Sequence, residues 1–225
     1  MHKQIWIGWL LAPTLIFAFL TRIYNLSANP PELFSDEITQ VLSARSIIET
    51  GKDINGKTNL FLYNKIKLGT PIYGYLAAGS TYLFGKNTFA IRLPAAIFGT
   101  LSVLLIFLIT KYLTRNNFVS LLTSFASAIV PWGIYFSRIG WEPALTIPFL
   151  LISIYSLLAA IKKNSTKNLI FSFIFFAVSV YASDALEFLS PLFLLTILGI
   201  NYKTVIKNYK KYLAALSGLV LRQLV

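Results

Sequence analysis

Two adjacent carboxylates, Asp36 and Glu37, are the residues of this sequence best placed to do chemistry. Acidic side chains are scarce, since 8 of the 225 residues are Asp or Glu against 20 Lys and Arg. Ser35 is a suitable N-cap, so both acids are expected in the first turn of a helix that Gly51 ends. In that position a carboxylate can act as a general base, or it can simply complement the helix dipole.

The helix that carries the two acids is predicted to be amphipathic. Its apolar stripe consists of Ile38, Val41, Leu42 and Ile48. Gln40 lies off that stripe.

The composition of the chain is that of an integral membrane protein. Hydrophobic residues make up 56%, charged residues only 12%, and the mean hydropathy is +0.68. These values lie well away from the averages of soluble domains. The net charge of +12 fits cytoplasmic loops and lipid headgroups. A nucleic-acid partner is not expected, because no basic run outside the apolar segments is interleaved with aromatic residues.

Few metal-binding side chains are present. The sequence has no cysteine and a single histidine, His2, so thiolate and histidine-cluster sites are excluded. No cofactor is certain from the sequence, and a divalent ion held by carboxylates stays open as an alternative.

The predicted fold is an all-α bundle of about seven transmembrane helices. The apolar segments that predict them are Ile5–Tyr24, Leu93–Thr110, Phe118–Ile134, Ala144–Ile161, Leu169–Tyr181, Phe188–Ile200 and Tyr212–Val225. Another apolar segment, Pro71–Phe84, has 14 residues and reaches about 21 Å, which is too short to span. We expect it to lie in the membrane interface, with Tyr73, Tyr75 and Tyr82 at headgroup depth.

The distribution of lysine predicts the topology of these segments. Basic loops are expected in the cytoplasm, and the chain has them at 111–115, 162–167 and 203–211. The loops at 135–142 and 182–187 then face outward, and residues 25–92 do so as well if Pro71–Phe84 does not cross. We therefore expect one module, residues 1–225, in the plasma (inner) membrane as a multi-pass protein. Its first outer loop, 25–92, carries two juxtamembrane helices.

The order of several motifs resembles a known superfamily. They are Asp36-Glu37 after the first span, Lys67 before Thr70-Pro71-Ile72-Tyr73, the run Leu83-Phe-Gly-Lys-Asn-Thr-Phe-Ala-Ile-Arg92-Leu-Pro94, and the loop Phe136-Ser-Arg-Ile-Gly-Trp-Glu142. Over residues 5–200 the chain resembles the protein mannosyltransferase and lipid A aminoarabinose transferase superfamily. Its members are membrane glycosyltransferases with the GT-C fold that use polyprenyl-phosphate sugars.

The chain also departs from that superfamily in three places. Glu142 stands where relatives usually carry Asp. Lys67 lies four residues before Pro71, whereas relatives commonly have the lysine directly before the proline. Relatives also usually continue for several spans beyond the point at which this sequence ends, Val225.

The resemblance implies roles for six residues, all on the outer side. Asp36 is the candidate base that takes the proton from an acceptor hydroxyl. Glu37 and Glu142 would orient the acceptor or hold a divalent ion. The donor phosphate would be contacted by Lys67, Arg92 and Arg138. Each cation also has a non-catalytic alternative. The two arginines can be headgroup anchors, and Lys67 can be an ordinary solvated loop residue.

Two other functions remain open at this point. A transporter or flippase of lipid-linked sugars should carry charges inside its spans, whereas here the acids lie in outer loops. A non-catalytic, truncated member of the superfamily is the other alternative. The sequence specifies neither the sugar nor the acceptor, which can be protein, lipid or glycan.

Overall fold

The structure, a computed structural model, describes residues 2–52, 54, 56, 71–183 and 186–214. In this part of the chain the regular elements are all helices, which confirms the predicted all-α class. The helices are α1 (His2–Ile23), α2 (Ser35–Thr50), α3 (Pro71–Phe84), α4 (Thr88–Thr114), α5 (Asn117–Ile129), α6 (Pro131–Phe136), α7 (Pro143–Lys163), α8 (Thr166–Tyr181), α9 (Leu186–Ile200) and α10 (Tyr202–Lys207). Residues 209–214 are also helical.

The chain divides into two compact units, Met1–Pro148 and Phe149–Val225. In the first unit α4 is central, because it packs against α1, α3 and α5, while α2 packs on α3. In the second unit a hydrophobic core forms around Leu157 and Phe173. The candidate site residues that the structure describes all lie in the first unit.

Two of the described helices, Thr88–Thr114 and Pro143–Lys163, are long and apolar enough to cross a membrane. Shorter apolar helices cover Leu10–Ile23, Asn117–Ile129, Thr166–Tyr181 and Phe188–Ile200. Together with the composition of the chain, these helices indicate a membrane protein, and the total of about seven spans stays a prediction. Most of the predicted segment Tyr212–Val225 lies outside the described residues.

One predicted span, Phe118–Ile134, is broken in the structure. Helix α5 ends at Ile129, and Pro131 begins the separate short helix α6. Proline lacks the backbone N–H that would continue the helical ladder, so it starts a helix more readily than it continues one. The break leads directly into the 137–142 loop, which contributes to the candidate site.

Helix α3 has the bounds that the sequence predicts, Pro71–Phe84. Tyr82 is exposed, as expected for a residue at the membrane surface. Tyr73, in contrast, does not face outward. Its side chain is fully buried, and its hydroxyl donates to the Ile91 carbonyl over 2.8 Å.

Helix α2 ends at Gly51 as predicted. Gly51 has φ +69°, and its N–H donates to the Ile47 carbonyl over 2.9 Å. The prediction of Ser35 as N-cap was wrong by one residue, because Phe34 occupies that position. A phenyl ring accepts no hydrogen bond from the helix. The cap interaction is the reverse one, in which the Glu37 carboxylate accepts from the Phe34 N–H over 3.0 Å.

The buried face of α2 is polar rather than apolar. Glu37, Gln40 and Ala44 are buried, whereas Ile38 and Leu42 are 48% and 51% exposed. Only half of the predicted apolar stripe therefore faces outward, because its other members, Val41 and Ile48, are half-buried. Hydrophobicity directs side chains into the interior only where water covers the outside, and an apolar outer face is tolerated beside lipid.

Candidate active site

A buried ion pair between Glu37 of α2 and Arg92 of α4 holds the candidate site together. Arg92 Nε donates to Glu37 Oε1 over 2.8 Å, and Nη2 donates to Oε2 over 2.9 Å. This is the bidentate geometry in which a guanidinium and a carboxylate bind most strongly. Both side chains are at most 1% exposed. Removal of either partner would leave a charge buried without compensation.

The remaining donors of Arg92 bind the segment between α1 and α2. Nη1 donates to the carbonyls of Leu26 and Pro30 over 3.1 and 2.8 Å, and Nη2 donates to that of Glu32 over 3.0 Å. A guanidinium has five N–H groups, and here each has an acceptor. Arg92 therefore offers no donor to a substrate phosphate in this conformation. The resemblance, in contrast, implies that Arg92 contacts the donor phosphate.

The Glu37 carboxylate is also fully engaged. Besides Arg92 and the Phe34 N–H, Glu37 Oε1 accepts from the Gly140 N–H over 2.7 Å. Glu37 thus joins the start of α2, helix α4 and the 137–142 loop. Its burial and its four hydrogen bonds make it a positioning group, and leave it no free oxygen for an acceptor.

Gly140 is where the loop comes closest to Glu37. A Cβ at this position would lie 3.0 Å from Ile91 Cγ2 and 3.3 Å from Glu37 Oε1. Such contacts are tighter than side chains normally make, so the N–H of residue 140 reaches the carboxylate because the residue is glycine. Sequence analysis missed this role, and the glycine within the Phe136–Glu142 loop was the available signal.

Glu142 is linked to α2 through Gln40. Gln40 Nε2 donates to Glu142 Oε1 over 3.1 Å, and Gln40 is 1% exposed. Gln40 Oε1 is buried and has no hydrogen-bond partner among the described residues. Sequence analysis assigned no role to Gln40. The signal was its spacing of four residues from Asp36, which places both on one side of a helix.

Asp36 differs from the other two acids. Its side chain is partly exposed, and no ion pair or hydrogen bond to it is found within the described part of the chain. It lies one turn, about 6 Å along the axis, before Gln40. Of the three predicted acids, Asp36 is therefore the one whose carboxylate is available to a substrate.

Arg138 binds backbone carbonyls at the end of α1. Its Nη1 and Nη2 donate over 2.7 to 3.4 Å to the carbonyls of Thr21, Arg22, Tyr24, Asn25 and Asn29. A cation here compensates the unpaired carbonyls and the negative end of the helix dipole. Burial, and next the charge of Arg92, lower the pKa of Arg138 from its ordinary value.

Lys67, the other predicted phosphate ligand, lies outside the described residues. Within the described ranges, no group of three or more His, Cys, Asp or Glu is placed to hold a metal ion.

Comparison with known families decides the class of this protein. Residues 69–224, well over half of the chain, match the dolichyl-phosphate-mannose-protein mannosyltransferase family. The chain belongs to this family. It is a membrane glycosyltransferase of the mannosyltransferase type, which confirms the superfamily predicted from the sequence. A search of curated proteins and a search of solved structures each found no match.

The family match includes only part of the candidate site. Arg92, Arg138 and Glu142 lie inside the matched residues, whereas Asp36 and Glu37 precede them. The ion pair of Glu37 with Arg92 physically connects the two parts.

Tyr73 lies beside the buried charges of the candidate site. Burial, and next the negative charge of Glu37, raise the pKa of the Tyr73 phenol well above its ordinary value. The phenol therefore stays protonated and acts as a donor to Ile91. Tyr73 supports the packing of α3 on α4 and is no candidate for the base.

Proposed function

We propose that this mannosyltransferase-family protein transfers a sugar from a polyprenyl-phosphate donor to an acceptor hydroxyl on the outer face of the inner membrane. One observation carries the proposal. The Asp36 carboxylate is partly exposed and has no partner among the described residues, while the neighbouring Glu37 is fixed by Arg92 and Gly140. A base of this kind is held in place by its helix and remains open to a substrate.

The proposed reaction is a displacement at the anomeric carbon of the sugar. Asp36 accepts the proton of the acceptor hydroxyl as that oxygen attacks the anomeric carbon. The bond from this carbon to the phosphate oxygen breaks, and polyprenyl phosphate leaves with the bonding electrons. A phosphate leaves as an anion, so it needs nearby positive charge rather than a general acid.

Glu142 is proposed to orient the acceptor. Its carboxylate is held by Gln40, and Gln40 belongs to the same helix as Asp36. A hydroxyl bound between these groups would have its proton directed toward a base and its oxygen toward the sugar.

Lys67 and Arg138 are proposed to supply the positive charge for the leaving phosphate. The hydrogen bonds of Arg138 go to backbone carbonyls, so its contribution is electrostatic and acts over a distance. Lys67 is then the cation that contacts the phosphate oxygens directly. Arg92 is proposed as a positioning residue, because all its donors bind protein groups.

The proposed outer location depends on the lysine distribution. The basic loops at 111–115, 162–167 and 203–211 are proposed to face the cytoplasm, which leaves the Asp36 side outside. A mannosyltransferase with its site there would use a donor whose phosphate lies in the outer leaflet.

The test is Asp36→Asn in the full chain, assayed against a panel of polyprenyl-phosphate sugars. We expect transfer to fall roughly 10²–10⁴-fold, the usual effect of losing a general base. Glu32→Gln is the matched control, because Glu32 is a nearby exposed acid. Both variants should insert into membranes normally. Wild-type turnover of Asp36→Asn would refute the assignment of the base.

A further inference from the structure

Gly99 of α4 makes a very close contact with Ser137, the first residue of the 137–142 loop. Gly99 is buried, and a Cβ at this position would lie 2.1 Å from Ser137 Oγ and 2.4 Å from Ser137 Cβ. Close-packed interiors do not bring side-chain atoms as near to each other as this. Ser137 therefore occupies the space that an alanine side chain at position 99 would need.

The side chain of Ser137 is bonded within its own segment. Ser137 is buried and follows α6 as its C-cap, and its hydroxyl donates to the Gly133 carbonyl one turn earlier. The hydroxyl is thus engaged inside α6 rather than with α4. The fit between Ser137 and Gly99 is consequently one of shape, and it depends on the missing side chain of Gly99.

Arg22 of α1 lies on another side of the same contact. Its Nε is 3.3 Å from the Cβ position of Gly99, and its side chain is buried. Arg22 Nη1 donates over 3.4 Å to the carbonyl of Ala128, in the last turn of α5, where a cation complements the helix dipole. Helix α6 begins three residues after Ala128. It is therefore held near its start by Arg22 and at its end by the Gly99–Ser137 contact.

The loop beyond Ser137 is attached to the protein along its whole length. Residues 137–140 are all buried. The further attachments are hydrogen bonds of Arg138 with carbonyls after α1, of the Gly140 N–H with Glu37, and of Glu142 with Gln40. The attachment of Ser137 differs, because packing against a glycine sets its position. A shift at Ser137 would pass through a loop that has no slack.

We propose that Gly99 is a positioning residue for Glu142. The missing side chain at position 99 sets how closely the loop approaches α4, and Glu142 lies five residues further along that loop. The inference rests on the acceptor-orienting role proposed for Glu142. An added Cβ would push Ser137 away by about 1 Å, and a displacement of that size in an orienting group can lower turnover about 10²-fold.

The first experiment measures kcat/KM of Gly99→Ala in the full chain, per folded molecule in detergent. We expect a fall of about 10²-fold. Gly79→Ala is the matched control, because a Cβ at Gly79 would meet nothing within 4 Å, and it should keep the wild-type kcat/KM. Wild-type kcat/KM of Gly99→Ala would refute the proposal.

The second experiment tests the contact by compensation. Ser137→Gly removes both atoms that the new Cβ would meet, so adding it to Gly99→Ala should restore the activity of Ser137→Gly alone. Ser137→Ala keeps the Cβ at 2.4 Å and should restore less. Restoration by neither change, or equally by both, would refute the contact. If Gly99→Ala alone does not fold, Gly99→Ala with Ser137→Ala provides the displaced loop for the kinetic comparison.

A double-mutant cycle distinguishes positioning of Glu142 from a purely structural role. In a Glu142→Gln background, Gly99→Ala should lower kcat/KM far less than in wild type, because the group that it displaces has already lost its charge. The loss of thermal stability caused by Gly99→Ala should be equal in the two backgrounds. An equal fall in kcat/KM in both backgrounds would indicate a structural role alone and overturn the proposal.

Thiol labelling follows the loop without any assay of transfer. Ile139 is buried in the loop and the sequence has no cysteine, so Ile139→Cys should react slowly with a thiol reagent. Labelling should become faster with Gly99→Ala and slow again when Ser137→Gly is added. Unchanged labelling would refute the contact, however Asp36→Asn behaves. Faster labelling together with a fully active Asp36→Asn would instead refute the proposed base and leave the contact standing.

Discussion

Glu37 and Arg92 are separated by 55 positions in the sequence and form a bidentate ion pair with N···O distances of 2.8 and 2.9 Å. The pair is buried, and it connects α2 to α4 beside the only predicted acid that remains unengaged in the described residues, Asp36. The protein itself occupies the carboxylate of Glu37, and the adjacent Asp36 is therefore the acid proposed as the base for transfer.

Glu37→Gln should lower the stability of the protein as well as its activity. The substitution leaves the Arg92 charge buried without a counter-charge, which typically costs 3–5 kcal/mol, so we expect a loss of about that size in the free energy of unfolding. Thermal unfolding in detergent measures it, with Glu32→Gln as the control. Asp36→Asn, in contrast, should lose activity and keep wild-type stability. Equal stability of Glu37→Gln and wild type would show that the ion pair is not structural.

Gly140→Ala should disrupt the contact between the 137–142 loop and α2. The added Cβ would press on Ile91 and on Glu37 Oε1, and overpacking of this kind costs about 1–3 kcal/mol. Gly79→Ala is the matched control, because a Cβ at Gly79 in α3 would meet nothing within 4 Å. That control should be neutral or stabilising by about 0.5–1 kcal/mol. The two melting temperatures should therefore move in opposite directions, and similar shifts would contradict the close approach at Gly140.

Gln40 should act through Glu142. Gln40→Met keeps the length of the side chain and removes the donor to Glu142. A double-mutant cycle of Gln40→Met with Glu142→Gln, measured by kcat/KM, should give a coupling energy of about 0.5–3 kcal/mol. Gln40→Glu should be worse than Gln40→Met, since it places a second negative charge beside Glu142. Additive effects of the two substitutions would show that Gln40 does not act through Glu142.

Helix α3 should lie on the outer side without crossing the bilayer. The sequence has no cysteine, so single cysteines can be labelled without background. Asn87→Cys should react with an impermeant thiol reagent added outside intact cells. Lys163→Cys should react only after the membrane is opened. If Asn87→Cys requires an opened membrane, α3 spans it, and Arg138 and Glu142 lie on the cytoplasmic side.

The sequence by itself determined the local features of this membrane glycosyltransferase. The bounds of α3, the end of α2 at Gly51 and the position of Asp36 in a first helical turn follow from proline, glycine and hydrophobic spacing. These signals act between neighbours in the chain, so they need no knowledge of the fold. The order of the motifs likewise pointed to the family that the comparison confirmed.

Only the tertiary structure decided which side chains meet. From the sequence alone, Arg92 could bind a phosphate, a headgroup or a carboxylate. It binds Glu37 because α4 packs beside α2. For the same reason α2 buries Gln40 and exposes Ile38, although hydrophobic spacing favours the opposite. A buried charge or amide must find its partner within the protein, and that requirement outweighs the burial of one apolar side chain. Such partners lie far away in sequence, so local patterns cannot reveal them.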